Sequence, residues 1–213
     1  GIEEVLVQAR VVLDQEEGPI AIAGRFRYQP GSGVVGTVGE PPTETLKPLD
    51  DYASKVVRAR RRGLVYPYEL QGMIAGEGGT VVELDLDDTG RLAPVDRPVG
   101  HNRAGIIVAL VTSPTGRHPE GVSRVVLSGD PLRSLGSVAE AECARVIAAL
   151  DLAEELRVPV EWYSLSAGAR ISMDSGTENM DWVAEALKRI VEFTQAGHEI
   201  NVVVAGINVG AQP

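Results

Sequence analysis

The sequence predicts an α/β fold in which at least part of the sheet is parallel. In its second half, continuous apolar runs typical of buried strands alternate with amphipathic helical patterns, which is the order expected when helices connect neighbouring strands. These segments are, in chain order, residues 104–113 (strand), 122–130 (strand), 137–156 (helix), 158–165 (strand), 180–196 (helix) and 199–207 (strand). Ligands of such sheets bind beyond the carboxyl ends of the strands, so the segments after the last two strands are the first candidates for a site.

Composition places the chain among ordinary globular proteins and disfavours nucleic acid as a partner. It has 213 residues, of which 44% are hydrophobic and 23% are charged, and its formal net charge is −10. That length can bury a substantial core, and the acidic balance disfavours a nucleic-acid surface. No segment has the roughly 18 uninterrupted apolar residues of a membrane span. Because the single cysteine, Cys143, excludes an internal disulfide, we expect a reducing, cytoplasmic compartment.

The first 46 residues predict a small β-rich segment or linker, followed by the main domain over residues 47–213. Residues 2–13 and 20–28 read as strands on either side of a turn, and the glycine- and proline-rich residues 30–42 predict a flexible connector. The chain opens without methionine and ends directly after a strand pattern. We therefore expect it to be an excised piece of a longer polypeptide, truncated at its C-terminus.

Two helices are predicted next, over residues 49–62 and over residues 66–73, the second entered through Pro67. The first contains the one basic cluster of the chain, residues 58–62. For this cluster we favour a solvated helix end, or a contact with an acidic face of another subunit, over contact with phosphate.

Two matches to ligand-binding motifs are better explained as connections between strands. Gly31, Gly33 and Gly36 have dinucleotide-fingerprint spacing, but prolines follow where that motif requires a helix. Residues 85–96 have the acidic spacing of a calcium loop, yet Arg91 takes a ligand position and the flanks alternate like strands. We predict a connector and a hairpin turn, respectively.

No familiar set of catalytic side chains is visible. Cys143 falls within a helical pattern and is expected to be a small buried residue. The three histidines, His101, His118 and His198, lie in separate loops without metal-ligand or triad spacing, so each is expected at the surface. No metal site is predicted.

A run of small residues, SAGARI, follows the strand at 158–165 and raises the question of a site. Gly168 and its flanking alanines would let a ligand or another backbone approach the main chain closely. The N–H groups of such a bend could stabilise a developing negative charge. A plain turn between a strand and a helix, with no ligand, remains the alternative.

Four stretches match, in order, motifs of one known family. They are RRGLVYPYEL (61–70), VDRPVGHNRAGIIVALVTSPTGRHPEG (95–121), LSGDPLRSLGSVAEAE (127–142) and LSAGARIS (165–172). This set resembles the N-terminal half of the carboxyltransferase component of biotin-dependent acyl-CoA carboxylases. The resemblance covers roughly residues 47–211 and implies a truncated crotonase-like ββα superhelix, preceded here by the small β-rich segment.

The resemblance implies a chemistry for SAGARI. In this family an acyl-CoA thioester loses its α-proton, and two backbone N–H groups stabilise the charge that collects on the thioester oxygen. It places one donor at Ala169 and the other at Val209 or Gly210. Residues near these donors are implied to bind the substrate: Gly168, Arg170, Ile171, Gly206 and Asn208. For Arg170 two roles stay open, a positive field near the oxyanion or the CoA phosphates, and an internal ion pair that braces the sheet.

The resemblance also implies partners. Carboxybiotin on a carrier domain elsewhere would supply the carboxyl group, and its ureido group would take the proton. Biotin carboxylase and biotin carrier modules would take part, and a C-terminal carboxyltransferase half would come from a second chain of a homo-oligomer. We therefore expect this chain to show no carboxyl transfer alone.

Departures from the family pattern keep other functions open. Ala205 stands where the acetyl-CoA carboxylase pattern has an arginine, and the loop after SAGARI is shorter than in that group. One alternative is a crotonase-type hydratase, isomerase or decarboxylase, although Gln212 takes the position of the usual acidic residue. Another is a non-catalytic module that binds CoA or mediates assembly.

Overall fold

The computed structural model describes residues 4–12, 18–29, 31–43, 49–171 and 178–210. The chain separates into two compact units, residues 1–54 and residues 55–213. The domain boundary predicted after residue 46 lies outside the described residues, and so does Gln212.

The first unit contains a three-stranded antiparallel sheet. Its strands are β1 (Glu4–Val11), β2 (Ile20–Gln29) and β3 (Gly33–Gly39), in that order across the sheet. The first two agree with the sequence prediction. The third shows that the prediction of a flexible connector over residues 30–42 was wrong.

Phe26 explains why a glycine-rich segment forms a strand here. It stands opposite Gly36 in the register of β2 and β3. Its ring fills the space above that glycine so closely that a methyl group added at Gly36 would lie 2.9 Å from the Phe26 Cε1. An aromatic ring on the neighbouring strand thus replaces the packing that glycine itself lacks.

The helices and strands that follow are α1 (Asp51–Arg61), α2 (Pro67–Ala75), β4 (Thr80–Leu86), β5 (Leu92–Pro94), β6 (Ile106–Ser113), β7 (Val122–Gly129), α3 (Glu140–Leu156), β8 (Val160–Ser166), α4 (Glu178–Gln195) and β9 (Ile200–Asn208). One turn of 3₁₀-helix, Ser134–Gly136, precedes α3. The six strands of the second unit form one sheet in the order β5-β4-β6-β7-β8-β9. Pairing is antiparallel from β5 to β7 and parallel from β7 to β9, which confirms the predicted α/β fold with a partly parallel sheet.

The main core lies between this sheet and the helices α3 and α4. Val146 and Leu150 on α3 are almost fully buried in one cluster with Leu127 of β7 and Val160 of β8. Cys143 belongs to the same cluster at 2% exposure, as the sequence predicted. Burial raises the pKa of its thiol to about 11, so the sulfur is protonated and unreactive at neutral pH.

The acidic segment 85–96 is a hairpin connection, as predicted, and its carboxylates have structural partners. Asp87 accepts hydrogen bonds from the backbone N–H groups of Thr89 and Arg91, at 2.8 and 3.0 Å. Asp85 is 4% exposed and pairs with Arg97 at 2.5 Å and with Arg145 at 2.6 Å. Burial alone would raise the pKa of Asp85, but hydrogen bonds from the two arginines hold it below its ordinary value.

A register shift in the last parallel pair sets the geometry of the site. Ser164 of β8 stands beside Val204 of β9, whereas Ser166 stands beside Asn208. β9 therefore advances four residues while β8 advances two. The extra residues form a bulge at the carboxyl end of both strands.

Candidate functional site

The two loops that the sequence singled out meet at the carboxyl ends of β8 and β9. The Val209 N–H donates to the Ser166 carbonyl oxygen at 3.0 Å. A methyl group added at Gly210 would lie 3.5 Å from the Cα of Gly168. The SAGARI loop and residues 208–210, the segments that follow the last two strands, therefore lie side by side.

Hydrogen bonds to the segment before α3 hold the SAGARI loop in place. The Ala167 N–H donates to the Leu135 carbonyl oxygen at 3.0 Å. The Val138 N–H donates to the Gly168 carbonyl oxygen at 2.9 Å, and the Val138 carbonyl oxygen accepts from the Arg170 N–H at 2.7 Å. The loop is thus fixed on both sides of residue 169.

Glycine is required at position 168 for a conformational reason. Gly168 is buried and has φ of +86°, a left-handed conformation that is costly for residues with a side chain. Its N–H donates to the Ser166 hydroxyl oxygen at 2.9 Å. The chain therefore changes direction at a buried residue whose N–H group keeps a hydrogen-bond partner.

This bonding pattern leaves one donor of residues 167–170 unused. The N–H groups of Ala167, Gly168 and Arg170 all have partners, whereas that of Ala169 donates to no described residue. Ala169 is half-buried and packs against the main core. An unpaired N–H group in a hydrogen-bonded, partly buried loop is suited to donate to an anionic ligand oxygen.

The second loop offers a donor at only one of the two predicted positions. Because the Val209 N–H is committed to Ser166, it is not available for a substrate oxygen. The N–H of Gly210 donates to no described residue, and Gly210 has φ of +77°. The geometry thus favours Gly210 over Val209.

Two of the residues implied to bind substrate, Gly206 and Asn208, have structural contacts of their own. Gly206 lies in the bulge, where a methyl group would come within 2.6 Å of the Leu165 side chain and 2.8 Å of the Leu64 side chain. Its small size therefore serves packing. Asn208 links the strands, accepting from the Ser164 hydroxyl at 2.6 Å and donating to the Ser164 carbonyl oxygen at 3.2 Å.

Arg170 takes part in an internal ion pair, one of the two roles left open by the sequence. Its Nη2 lies 3.4 Å from Glu142 Oε2, and its side chain is 38% exposed against 3% for Glu142. Ile171, the next residue, is 86% exposed. The apolar side chain of Ile171 is therefore free to contact a substrate. The Arg170 guanidinium group is partly accessible as well.

Sequence reasoning missed two residues that organise the site. Ser166 is completely buried and binds both loops, through its hydroxyl to Gly168 and through its carbonyl to Val209. Glu142 accepts from the N–H groups of Gly105 at 2.7 Å and of Ala139 at 3.0 Å. The signal for Glu142 was its place in the first turn of a helix, where a carboxylate commonly accepts backbone N–H groups.

Two of the histidines, His118 and His198, have partners elsewhere in the described structure. His118 is exposed and lies 3.0 Å from Glu120. His198 differs from the surface position expected, because it stacks on Phe193 with 4.7 Å between ring centroids and its side chain is only 25% exposed. Among the described residues, no group of three histidine, cysteine or acidic side chains is placed to hold a metal ion.

Comparison with known proteins relates this architecture to carboxylases. No known protein-family model matches the chain. Its structure is similar to that of the beta subunit of geranyl-CoA carboxylase from P. aeruginosa, with a TM-score of 0.54 and 19% sequence identity. This likeness shows that the chain shares the fold of a part of that subunit. The match covers 73% of this chain but 28% of that subunit, so the chain corresponds to a part of it.

Within the ranges that the structure describes, no helix is both long enough and apolar enough to cross a bilayer.

Proposed function

We propose that this chain supplies the enolate-stabilising part of a biotin-dependent acyl-CoA carboxyltransferase. One observation carries the proposal: the Ala169 N–H is the unpaired donor in a braced loop of small residues, beside Gly210 on the neighbouring loop. The fold similarity to a carboxylase beta subunit supports the same assignment.

The proposed reaction requires what these loops offer. Removal of the α-proton leaves the C–H electron pair in an enolate, whose charge collects on the thioester oxygen. Two N–H groups directed at that oxygen would stabilise the transition state, and one such donor contributes about 3–4 kcal/mol in comparable sites. Carboxybiotin, carried by another domain, would supply the carbon dioxide to which the enolate carbon then bonds, and its freed ureido group would take the proton.

The small residues of both loops suit this substrate. A thioester can reach the backbone at Ala169 only if its neighbours are small, and Gly168 and Gly210 stand next to each other there. Exposed Ile171 would contact the acyl portion. Because the match spans 28% of the geranyl-CoA carboxylase subunit, we propose that a further carboxyltransferase half, with biotin carboxylase and biotin carrier modules, completes the enzyme.

The test is an assay of the enzyme that carries this chain with acetyl-, propionyl- and longer acyl-CoA, ATP and bicarbonate. We expect carboxylated acyl-CoA whose formation is abolished by avidin, and no product from the chain alone. Decarboxylation or hydration of acyl-CoA without any avidin-sensitive carboxylation would refute the proposal and favour a crotonase-type lyase or hydratase.

A further inference from the structure

One face of the three-stranded sheet in the first unit carries only apolar side chains, aromatic side chains and glycine. Residues that stand opposite each other in neighbouring strands share a face, and so do alternate residues along one strand. The register of β1, β2 and β3 thus brings together the odd-numbered residues 5–11, the even-numbered residues 20–28 and the even-numbered residues 34–38. None of these residues is charged. We call this surface the apolar face.

The opposite face of the same sheet has the composition of a solvated surface. It carries Glu4, Arg10, Arg25 and Arg27. The Arg25 Nε lies 3.1 Å from the Glu4 Oε1, and both side chains are exposed. This strict alternation is typical of an antiparallel sheet that meets water on one side and is covered on the other.

The apolar face is uncovered in the structure. Ala23, the one buried residue of the described strands β1 to β3, lies on the polar side of the sheet. On the apolar face Tyr28 is 59% exposed, Val34 72% and Val38 73%. Small sheets depend for their stability on burial of a hydrophobic face, and a contiguous apolar patch marks an interaction site. The sheet therefore needs a partner on this side.

Phe26 makes the centre of the apolar face flat. A methyl group added at Gly24 would lie 3.1 Å from the Phe26 Cε2, and one added at Gly36 would lie 2.9 Å from the Phe26 Cε1. The ring therefore lies across the two glycines and does not project from the sheet. The valines around it are stiff at χ1 and lose little conformational freedom when they are buried. This surface is suited to contact with another flat surface.

We infer that the apolar face packs against the same face of a second copy of this chain. Two identical faces related by a two-fold axis contact each other without bringing like charges together when neither of them is charged. Aligned sheets stack about 10 Å apart with their strands about 30° from parallel, and the side chains of both inner faces form the core. The sheet of each copy is then one half of a β-sandwich.

The dimensions of the apolar face favour a second sheet over other partners. Its strands have 8, 10 and 7 residues. Strand spacing and rise per residue give a face of about 14 by 26 Å. Stacking two such faces removes roughly 1,000 Å² of accessible surface from water, which is the lower limit for a specific interface. A helix is about 10 Å wide and would leave part of the width exposed. A partner recognised by charge finds no charge to pair with.

The experiment is sedimentation equilibrium of the 213-residue chain over a wide range of concentration. We expect a monomer–dimer equilibrium with a Kd of about 1–100 µM, because the buried area is near the lower limit for specific interfaces. Thermal unfolding should move to higher temperature as the concentration rises, because association stabilises the folded state by mass action.

Substitutions at Val38 test the apolar face itself. Val38→Lys should weaken dimerisation about a hundredfold or more, because each dimer would bury two ammonium groups in an apolar layer. Val38→Thr keeps the shape and the strand propensity of valine but adds a hydroxyl group, and it should weaken dimerisation about tenfold. Circular dichroism should show that both variants are folded, since Val38 is 73% exposed before association.

Val12→Lys is the matched control. Val12 is 74% exposed and directly follows β1, outside the apolar face, so the same change of side chain and of net charge is made at a site of equal exposure. It should leave the Kd within about twofold of the parent value. A chain that stays monomeric throughout the concentration range would overturn the inference. So would a dimer that Val38→Lys and Val12→Lys weaken equally.

Cosedimentation with phosphatidylcholine vesicles tests the other apolar partner, a lipid surface. We expect no binding to these vesicles. If the chain is monomeric and binds them, and if Val38→Lys abolishes that binding while Val12→Lys does not, the apolar face is a lipid-binding surface and the assignment to a second copy is wrong. None of these measurements involves acyl-CoA, so their outcome is independent of the proposed carboxyl transfer.

Discussion

Replacing Ala169 with proline would test the proposed oxyanion donor most directly. Proline removes the N–H group and fixes φ, and here that N–H donates to no described residue. The folded chain therefore loses no internal hydrogen bond at this position. If the N–H instead stabilises the enolate oxygen, its loss should lower kcat by about 10²–10³, or about 3–4 kcal/mol of transition-state free energy.

The neighbouring alanine provides a control for the presence of proline itself. The Ala167 N–H donates to Leu135, so Ala167→Pro removes a structural hydrogen bond rather than a catalytic one. It should cost about 1 kcal/mol of unfolding free energy and lower Tm by about 2–4 °C. Ala169→Ser, which retains the N–H, should keep near-parental turnover, and His118→Ala should stay within about threefold.

The assay is avidin-sensitive carboxylation by the intact enzyme, with kcat and KM measured separately and with thermal unfolding of each variant. We expect Ala169→Pro to change kcat far more than the KM for acyl-CoA, because contacts distant from the thioester remain. A folded Ala169→Pro enzyme with parental kcat would show that the donor lies elsewhere and that SAGARI is only a turn.

Three further perturbations follow from the same contacts. Ser166→Ala removes the hydroxyl that accepts from Gly168, so Tm and kcat should both fall, with about 1–2 kcal/mol lost in urea unfolding. Gly168→Val forces a β-branched residue to φ of +86°, which should cost about 1–3 kcal/mol and lower both acyl-CoA affinity and turnover. Asp85 has a lowered pKa in the folded chain, so its ionised carboxylate stabilises the fold. This stabilisation is fully present above the pKa of the unfolded chain, about 4, and is lost as the pH falls through the lower pKa of the folded chain. Urea unfolding should therefore show Asp85→Asn to be destabilising at pH 7, with a smaller difference at pH 3; equal differences at both values would contradict this assignment.

Much of the fold could be predicted because its signals are local. Pro67 marks the start of α2, and continuous apolar runs mark the parallel strands. The strand β3 was missed because its packing depends on Phe26, a residue of the neighbouring strand, and not on its own composition. Local propensity describes such a segment poorly when tertiary contacts determine it.

The site was predictable in position but not in detail. Small residues after a strand located the SAGARI loop, yet the choice between Val209 and Gly210 depends on the bulge between β8 and β9. A register shift of this kind leaves no clear mark in one sequence.

The position of Ser166 has a mechanical consequence for the two loops. Its hydroxyl anchors the turn that presents Ala169, and its carbonyl anchors the residue before Gly210. Both loops are therefore anchored to a single residue at the end of β8. When that strand end shifts in thermal motion, the two amides are carried along together, so the spacing between them fluctuates less than the position of either one relative to the rest of the sheet.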